Sequence, residues 1–597
     1  MTDRLPWTRV VFLPLLLGLV LGGASTAGPP DHGLAPRSTP ALGGHGIAGV
    51  HTGPVEATAW VTLGESTPNL ESEIRSRVEA LSQGVPTWSG GERIRSTTTL
   101  PEIYRNRGFL PIWIQGDQVT REARTLLAQI GGARADGLDP DDYHRIALDS
   151  LIPILGRADD PDDELRNQVD VEFLLTDAFL QLGSHLALGR LDPNSVEPAW
   201  TASRNGLEMG PILEEALAGQ GVRHALNELR PSGNRYQILR RTLRQYERIV
   251  EAGGWAEIPE GPTLDPGDRS ERVPLLRARL AATGHLPRDH AAPGDPELYN
   301  EALEEAVKAF QRTHGLASDG RVGPASRRAL NVPATERYRQ LVVNLERWRW
   351  LPRELGDRYI LVNIPGYQVH VVDDGEETLR LRAIVGRNYR QTPVFSAEMT
   401  YLALAPYWNL PPGIAANDQL PRIREDSGYV SRQNMVLFEN GTNRVVDPST
   451  VNWTGMSGAE FNRRFRLRQE PGPDNALGQV KFMFPNRHNV YIHDTPAREL
   501  FDRVTRDFSS GCIRVERPLE LAAHLLRDDP SWTPERIREV IAQGRERAVT
   551  LPRSYTVHVQ YWTAWVELDG TVHFRDDIYN RDPRVMAALA ARPWSGE

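Results

Sequence analysis

The sequence predicts a multidomain α+β protein, and three observations carry that prediction. Apolar residues recur every three or four positions through the first half, as in "EFLLTDAFLQLGSHLALGRL"; they alternate with polar ones in later stretches such as "RYILVNIPGYQVHVV"; and Gly- and Pro-rich segments separate the two regimes. At 597 residues the chain also exceeds what one hydrophobic core serves.

The first 27 residues read as an export signal: Arg4 and Arg9 precede the apolar run from Val10 to about Ala24, and Ser25-Thr26-Ala27 offers small residues for cleavage. That run contains Pro14 and is short of the roughly 20 residues of a bilayer-spanning helix, although an uncleaved inner-membrane anchor is the alternative. Residues 28–95 are dense in Gly, Pro, Ser and Thr and read as a flexible linker. The glycines of "GGHGIAG" match a nucleotide-loop pattern without the flanking strand and helix that pattern needs.

Residues 96–251 form a helical domain, broken by the turn signals "ADGLDPDDY" and "RPSGN" and free of ligand or nucleophile motifs. Residues 268–331 form a compact helical module. Leu276 and Leu280 share one helix face and Gly284 stops that helix; Val307 and Phe310 share the next, Asp319-Gly320 turns, and Pro324 opens a last short helix. Residues 337–550 are mainly β, with a hairpin turn at Asp373-Asp374-Gly375 and a polar, turn-rich insertion at 413–470. Residues 551–597 read as a β-rich extension.

A net charge of −9 without a basic stripe argues against nucleic acid. Cys512 is the sole cysteine, so in an exported protein it has no intrachain disulfide partner. In "NVYIHD" the period of two sets Val490 and Ile492 on one face and Tyr491 and His493 on the other. A histidine ending a strand and a cysteine in a Ser509-Ser510-Gly511-Cys512 turn suit nucleophilic catalysis, the imidazole lowering the thiol pKa and turn amides receiving an oxyanion. Arg514 would offer a forked donor for a carboxylate. By spacing alone, a buried thiol and a core histidine fit equally well. A metal site is the weaker reading, because His488 and His493 lack a third ligand at fitting spacing.

The run A-V-K-A-F-Q-x-x-H-G-L-x-x-D-G-x-V-G-P resembles the three-helix peptidoglycan-binding module of cell-wall enzymes. His493-Asp494-Thr495-Pro496 followed by Ser509-Ser510-Gly511-Cys512-Ile513-Arg514-Val515 resembles the signature of the YkuD-type L,D-transpeptidases. The segments "LVNIP", "IVGRNYRQTPVF", "APYWNLPPGI" and "PGPDNALGQVKFMFPN" match that family's order, and the whole resembles its large periplasmic Gram-negative members, with a helical scaffold domain in front. Two positions depart from the common pattern: Ser510 stands where many members have histidine, and Asp494 where many have glycine, which leaves His493 as the base.

The resemblance implies an exported, periplasmic enzyme acting on peptidoglycan stem peptides that contain diaminopimelate, without metal or cofactor and with cell-wall synthesis proteins as possible partners. Cys512 would form a thioester with release of D-alanine, and a second stem peptide would resolve it into a 3-3 crosslink. His493 would move the proton, oriented by the main-chain carbonyl of Asp494. Tyr491 and the amides of Gly511 and Cys512 would bind the oxyanion, with the Ser510 amide a further candidate from the turn itself, Ser509 would belong to the same turn, Trp408 would line the cleft, and 413–470 would act as a lid. L,D-carboxypeptidase or D-amino-acid exchange activity at the same site, or a non-catalytic wall-binding scaffold, are the alternatives.

Overall fold

The structure, a computed structural model, describes residues 69–197, 206–287, 294–353 and 355–591. The expected signal segment and most of the expected linker lie outside them. The described residues form one compact unit.

The helical domain begins earlier than the linker reading allowed. Helix α1, Leu70–Ser82, is opened by an Asn69/Ser72 capping box and buries Ile74, Val78 and Leu81. They enter the same core as Phe173 and Leu174 of the long helix α2, Pro161–Leu188. The spacing 74, 78, 81 is a helix stripe that the surrounding Gly, Pro, Ser and Thr obscured. Helix α3, Asn234–Glu251, closes this domain.

The module comprises α4, Arg272–Ala282, α5, Glu301–Thr313, and α6, Pro324–Leu330, around Leu276, Leu280, Val307 and Phe310. Gly284 at φ +76 ends α4, and Gly320 at φ +74 makes the expected turn. Leu264, upstream of the expected boundary, pairs with Val322 and joins the module core. Helix α7, Ala334–Arg349, then crosses the boundary expected at 337 and packs on α3. Its buried Glu346, Arg347 and Arg349 hid an interior helix behind a polar composition; Arg347 is paired with Glu197 and Asp582, and Arg349 with Glu346.

The C-terminal domain is built on strands β1 (Arg358–Asn363), β2 (Gln368–Asp373), β3 (Glu376–Gly386), β4 (Phe395–Leu404), β5 (Trp408–Asn409), β6 (Met435–Glu439), β7 (Phe465–Gln469), β8 (Val480–Met483), β9 (Ile492–His493), β10 (Asp507–Ser509), β11 (Ile513–Val515) and β12 (Arg547–Gln560). Nine of them form one sheet in the order β10-β3-β11-β9-β8-β4-β12-β1-β2. Strand β3 also pairs with β2, so the ladder returns on itself around a core that includes Val362, Leu402, Phe482, Ile492, Ile513 and Val557. Asp374 and Gly375, at φ +51 and +82, make the tight β2–β3 turn.

Three expectations are corrected here. Strand β12 lies between β4 and β1, so a boundary at 550 would cut a central strand. The segment beyond it is only briefly β: β13 (Ala564–Val566) and β14 (Val572–Phe574) form a hairpin, and helix α8, Asp582–Ala590, follows. The insertion is more than a turn-rich cover. Strands β6 and β7 pair within it and β5, just before it, joins their sheet, while Ile423, Val430, Leu437, Phe461 and Leu467 form its own core. Its arginines serve that subdomain: Arg464 pairs with Glu460, Arg468 with Glu470, and Arg466 lies over the Phe438 ring.

Candidate active site

Three adjacent strands set the site by register. Lys481 of β8 pairs with His493 of β9, and His493 pairs with Arg514 of β11. Residues in register share a face, so these three side chains form one lateral row. The next row, Phe482, Ile492 and Ile513, takes the other face and is fully buried. Each such burial is worth about 1.5–3 kcal/mol, which fixes the register that aims the polar row.

Cys512 sits just before β11, and the Ile513 amide donates to the Tyr491 carbonyl at 3.0 Å. The half-buried thiol has the Asn489 carbonyl 4.0 Å away as its acceptor. Tyr491 lies close enough to the sulfur to favour its ionised form, and Trp408 lies close to the Tyr491 hydroxyl. The Lys481 ammonium lies 4.0 Å from the centroid of the Tyr491 ring.

The electrostatics depart from the expected thiolate–imidazolium pair. Burial pushes the Cys512 thiol up, and the donors of Tyr491 with the positive charges of Lys481 and Arg514 only partly oppose it. Burial, helped by Arg514 and Lys481, pushes His493 down to about 3. The resting groups are a neutral thiol and a neutral imidazole. His493 Nδ1 lies 2.5 Å from the Asp494 carbonyl oxygen, which assigns the proton to Nδ1 and leaves Nε2 as the basic nitrogen. The Asp494 carboxylate is occupied elsewhere, accepting from the Gln479 amide at 2.9 Å and from Arg498 at 3.0 Å.

The cysteine turn is braced from several directions. Ser509 Oγ donates to the Cys512 carbonyl at 2.5 Å and accepts from the Gly511 amide at 3.1 Å. The Gly511 amide is therefore already committed, which corrects its expected place among the oxyanion donors and leaves the Ser510 and Cys512 amides as candidates. Gly511 has φ +113, a conformation that other residues rarely adopt. Its carbonyl accepts from Thr392 Oγ1 at 2.9 Å, and Thr392 Oγ1 accepts from the Gly386 amide at 2.9 Å. Tyr579, beyond the catalytic boundary expected from sequence, donates to the Gly386 carbonyl at 2.5 Å.

Ser510 is exposed, and its hydroxyl accepts from Arg390 at 3.0 Å. Arg390 also forms a two-pronged pair with Asp418 of the insertion, at 2.6 and 2.9 Å. Arg514 forms no ion pair among the described residues, and its Nε is buried without an acceptor. Sequence reasoning missed Lys481, Arg390, Thr392 and Tyr579. Lys481 had a signal, the alternation of "VKFM", but only the strand register reveals its neighbours. Among the described residues no group of three or more His, Cys, Asp or Glu side chains is arranged to hold a metal ion.

Comparison with known proteins agrees with this architecture domain by domain. Residues 98–243 match a scaffold-domain model, 269–330 a model described as "Putative peptidoglycan binding domain", and 357–537 the YkuD model, described as an L,D-transpeptidase catalytic domain. A curated Haemophilus influenzae protein named "Putative L,D-transpeptidase" is 36% identical over 249 residues, 42% of this chain and 49% of that protein. The match thus spans about half of that relative's length. Solved L,D-transpeptidases from Xylanimonas cellulosilytica and Stackebrandtia nassauensis are 17% and 12% identical, each over 51% of this chain and over 100% and 96% of theirs. Their TM-scores of 0.16 and 0.20 carry no weight for fold or function. Residues 357–537 of this chain form an L,D-transpeptidase catalytic domain of the YkuD family, carried behind a scaffold domain and a peptidoglycan-binding domain.

Proposed function

We propose that the protein is a peptidoglycan L,D-transpeptidase that makes 3-3 crosslinks through a thioester on Cys512. The observation that carries this reading is the placement of the sole thiol among Tyr491, Lys481 and Arg514, with the insertion tied to its turn through Arg390 and Ser510. Nε2 of His493 accepts the thiol proton as sulfur attacks the carbonyl of the third stem residue. The amides of Ser510 and Cys512 receive the oxyanion, His493 returns the proton to the departing D-alanine amine, and the thioester remains. The side-chain amine of a second stem peptide then attacks, its proton passing to His493, and the thiol is regenerated. Arg514, unpaired, takes a donor-strand carboxylate. Trp408 and the insertion shield the thioester from water.

The same chemistry predicts acylation of Cys512 by carbapenems, whose strained lactam opens on thiolate attack. Action on peptidoglycan sets the protein outside the cytoplasm, in the periplasm, with residues 1–27 as the export signal or a tether. Among the described residues no helix is long and apolar enough to cross a membrane.

The deciding experiment is incubation of the protein, and of Cys512→Ala, with disaccharide-tetrapeptide, followed by mass spectrometry. A dimer lacking one D-alanine that depends on Cys512 supports crosslinking. A tripeptide monomer alone would make the enzyme an L,D-carboxypeptidase, and no Cys512-dependent product would return it to a wall-binding scaffold.

A further inference from the structure

Where the module meets the C-terminal domain there is a cleft of about 260 Å3. One wall is the turn after α5, at Gly315 and Leu316; the other carries Tyr367, Phe501, Arg506 and Arg575. Arg506 donates to three main-chain carbonyls, those of Ala383, Arg503 and Tyr367, at 2.9–3.2 Å. Arg575 donates to the carbonyls of Thr313 and Phe574 at 2.7 and 2.8 Å. Among the described residues neither guanidinium has a carboxylate ion-pair partner; Glu516 and Asp576 act on them only at longer range. Carbonyl partners satisfy the N–H groups but cancel no charge, and the two cations repel each other.

A second group in the same cleft is also missing a partner. Tyr367 is 5% exposed, and its hydroxyl has no acceptor. The hydrogen-bonding group against it, the Arg506 main-chain amide, is itself a donor. Buried hydroxyls are rarely left so. The nearby carboxylates do not answer this need: Asp502 is paired with Arg382 at 3.3 Å, Asp576 is exposed, and Asp507 acts on the hydroxyl through its charge without a hydrogen bond.

We propose that this cleft binds a small oxyanion, a carboxylate or a phosphate, held by the guanidinium groups of Arg506 and Arg575 and by the Tyr367 hydroxyl. Because Arg575 also holds the Thr313 carbonyl at the end of α5, the bound anion fastens the module to the C-terminal domain. Because Arg506 leads directly into β10, it also steadies the strand that ends at Ser509. The assignment is independent of the chemistry at Cys512.

Full-length protein is titrated calorimetrically at low salt with sodium phosphate and, separately, with N-acetyl-D-alanine. Saturable binding of at least one is expected, weakened at least fivefold by Tyr367→Phe and by Arg506→Gln. Arg506→Gln also loses carbonyl contacts and can unfold, whereas Tyr367→Phe removes only an unpaired hydroxyl and keeps the anion-free thermal midpoint. A preference for phosphate assigns the site to a phosphate-bearing ligand, and a preference for N-acetyl-D-alanine to a peptide carboxylate; either supports the proposal. Absence of binding by both, or binding unchanged in Tyr367→Phe, overturns it.

Discussion

Lys481 and His493 stand opposite each other on adjacent antiparallel strands, and the charge of the first helps hold the second unprotonated. A cation beside the base disfavours imidazolium, while the same cation favours the thiolate of Cys512. In the proposed proton transfer the row therefore acts on both groups: it keeps His493 free to accept and lowers the cost of the Cys512 anion.

The first prediction is a pH profile. With the thiol raised by burial and His493 pushed down to about 3, Cys512 rests as a neutral thiol through the neutral range. Its alkylation by iodoacetamide should climb with pH up to and beyond about 8.5, the ordinary thiol value. A rate that is already level below pH 7 would mean that a thiolate–imidazolium pair forms at rest.

Acid stability follows from the same shifts. His493 and His185 are pushed down to about 3 and His285 to about 4, all chiefly by burial. Between the ordinary histidine value of about 6.5 and those folded values, the unfolded chain binds protons that the folded chain refuses. Stability should therefore be complete above about pH 6.5 and fall as pH drops toward 3, each group steepening the loss by about 1.4 kcal/mol per pH unit. Thermal midpoints measured from pH 7.5 to 4 check the sign; a midpoint that rises on acidification would contradict it.

Lys481→Met should keep the stem that packs beside Tyr491 and delete the charge. The thiol then loses one of the two cations that favour its anion, so alkylation at pH 7.5 should slow about three- to tenfold, the range given by roughly 1 kcal/mol for a charge at close range in a partly solvated site. An unchanged rate would leave Arg514 as the cation that matters.

These residues show where a linear chain is informative. Cys512, His493, Tyr491 and Arg514 were legible because turn chemistry and a period of two are local properties. Lys481 reaches the site through strand pairing, Thr392 from 119 residues before Gly511, and Tyr579 from beyond the expected catalytic boundary, and no local pattern encodes such contacts. The failed boundaries have a related cause: α1 is hidden in a composition typical of linkers, and α7 is a helix whose interior is ionic, so composition misreports both.

Tyr579→Phe tests the brace supplied by the C-terminal segment. Its hydroxyl donates to the buried Gly386 carbonyl and accepts from the Thr392 amide at 3.2 Å, and Thr392 in turn holds the Gly511 carbonyl. Losing both partners should cost about 1–3 kcal/mol. Because the brace ends at the cysteine turn, crosslinking should fall more than substrate binding does. Equal loss in kcat and KM terms, or none, would make Tyr579 a general packing residue.

The last prediction concerns the tie between the insertion and the turn. Arg390 grips Asp418 with both guanidinium nitrogens and uses one of them to reach Ser510, so a single side chain joins the subdomain to the residue two before Cys512. The pair is partly exposed, at 25% and 37%, so its direct contribution to stability is discounted to about 0.5 kcal/mol. Its effect on the proposed reaction should be larger, because the same side chain ties the insertion to Ser510 in the turn that carries Cys512. In a double-mutant cycle of Arg390→Ala and Asp418→Ala, each variant should keep its thermal midpoint within a few degrees. Hydrolytic tripeptide should rise relative to crosslinked dimer as water gains access to the proposed thioester, and the double variant should be no worse than Arg390→Ala alone, since removing Arg390 already breaks its contact with Asp418. Additive effects on the product ratio would show that Arg390 and Asp418 act separately, and an unchanged ratio would remove the insertion from control of the acceptor.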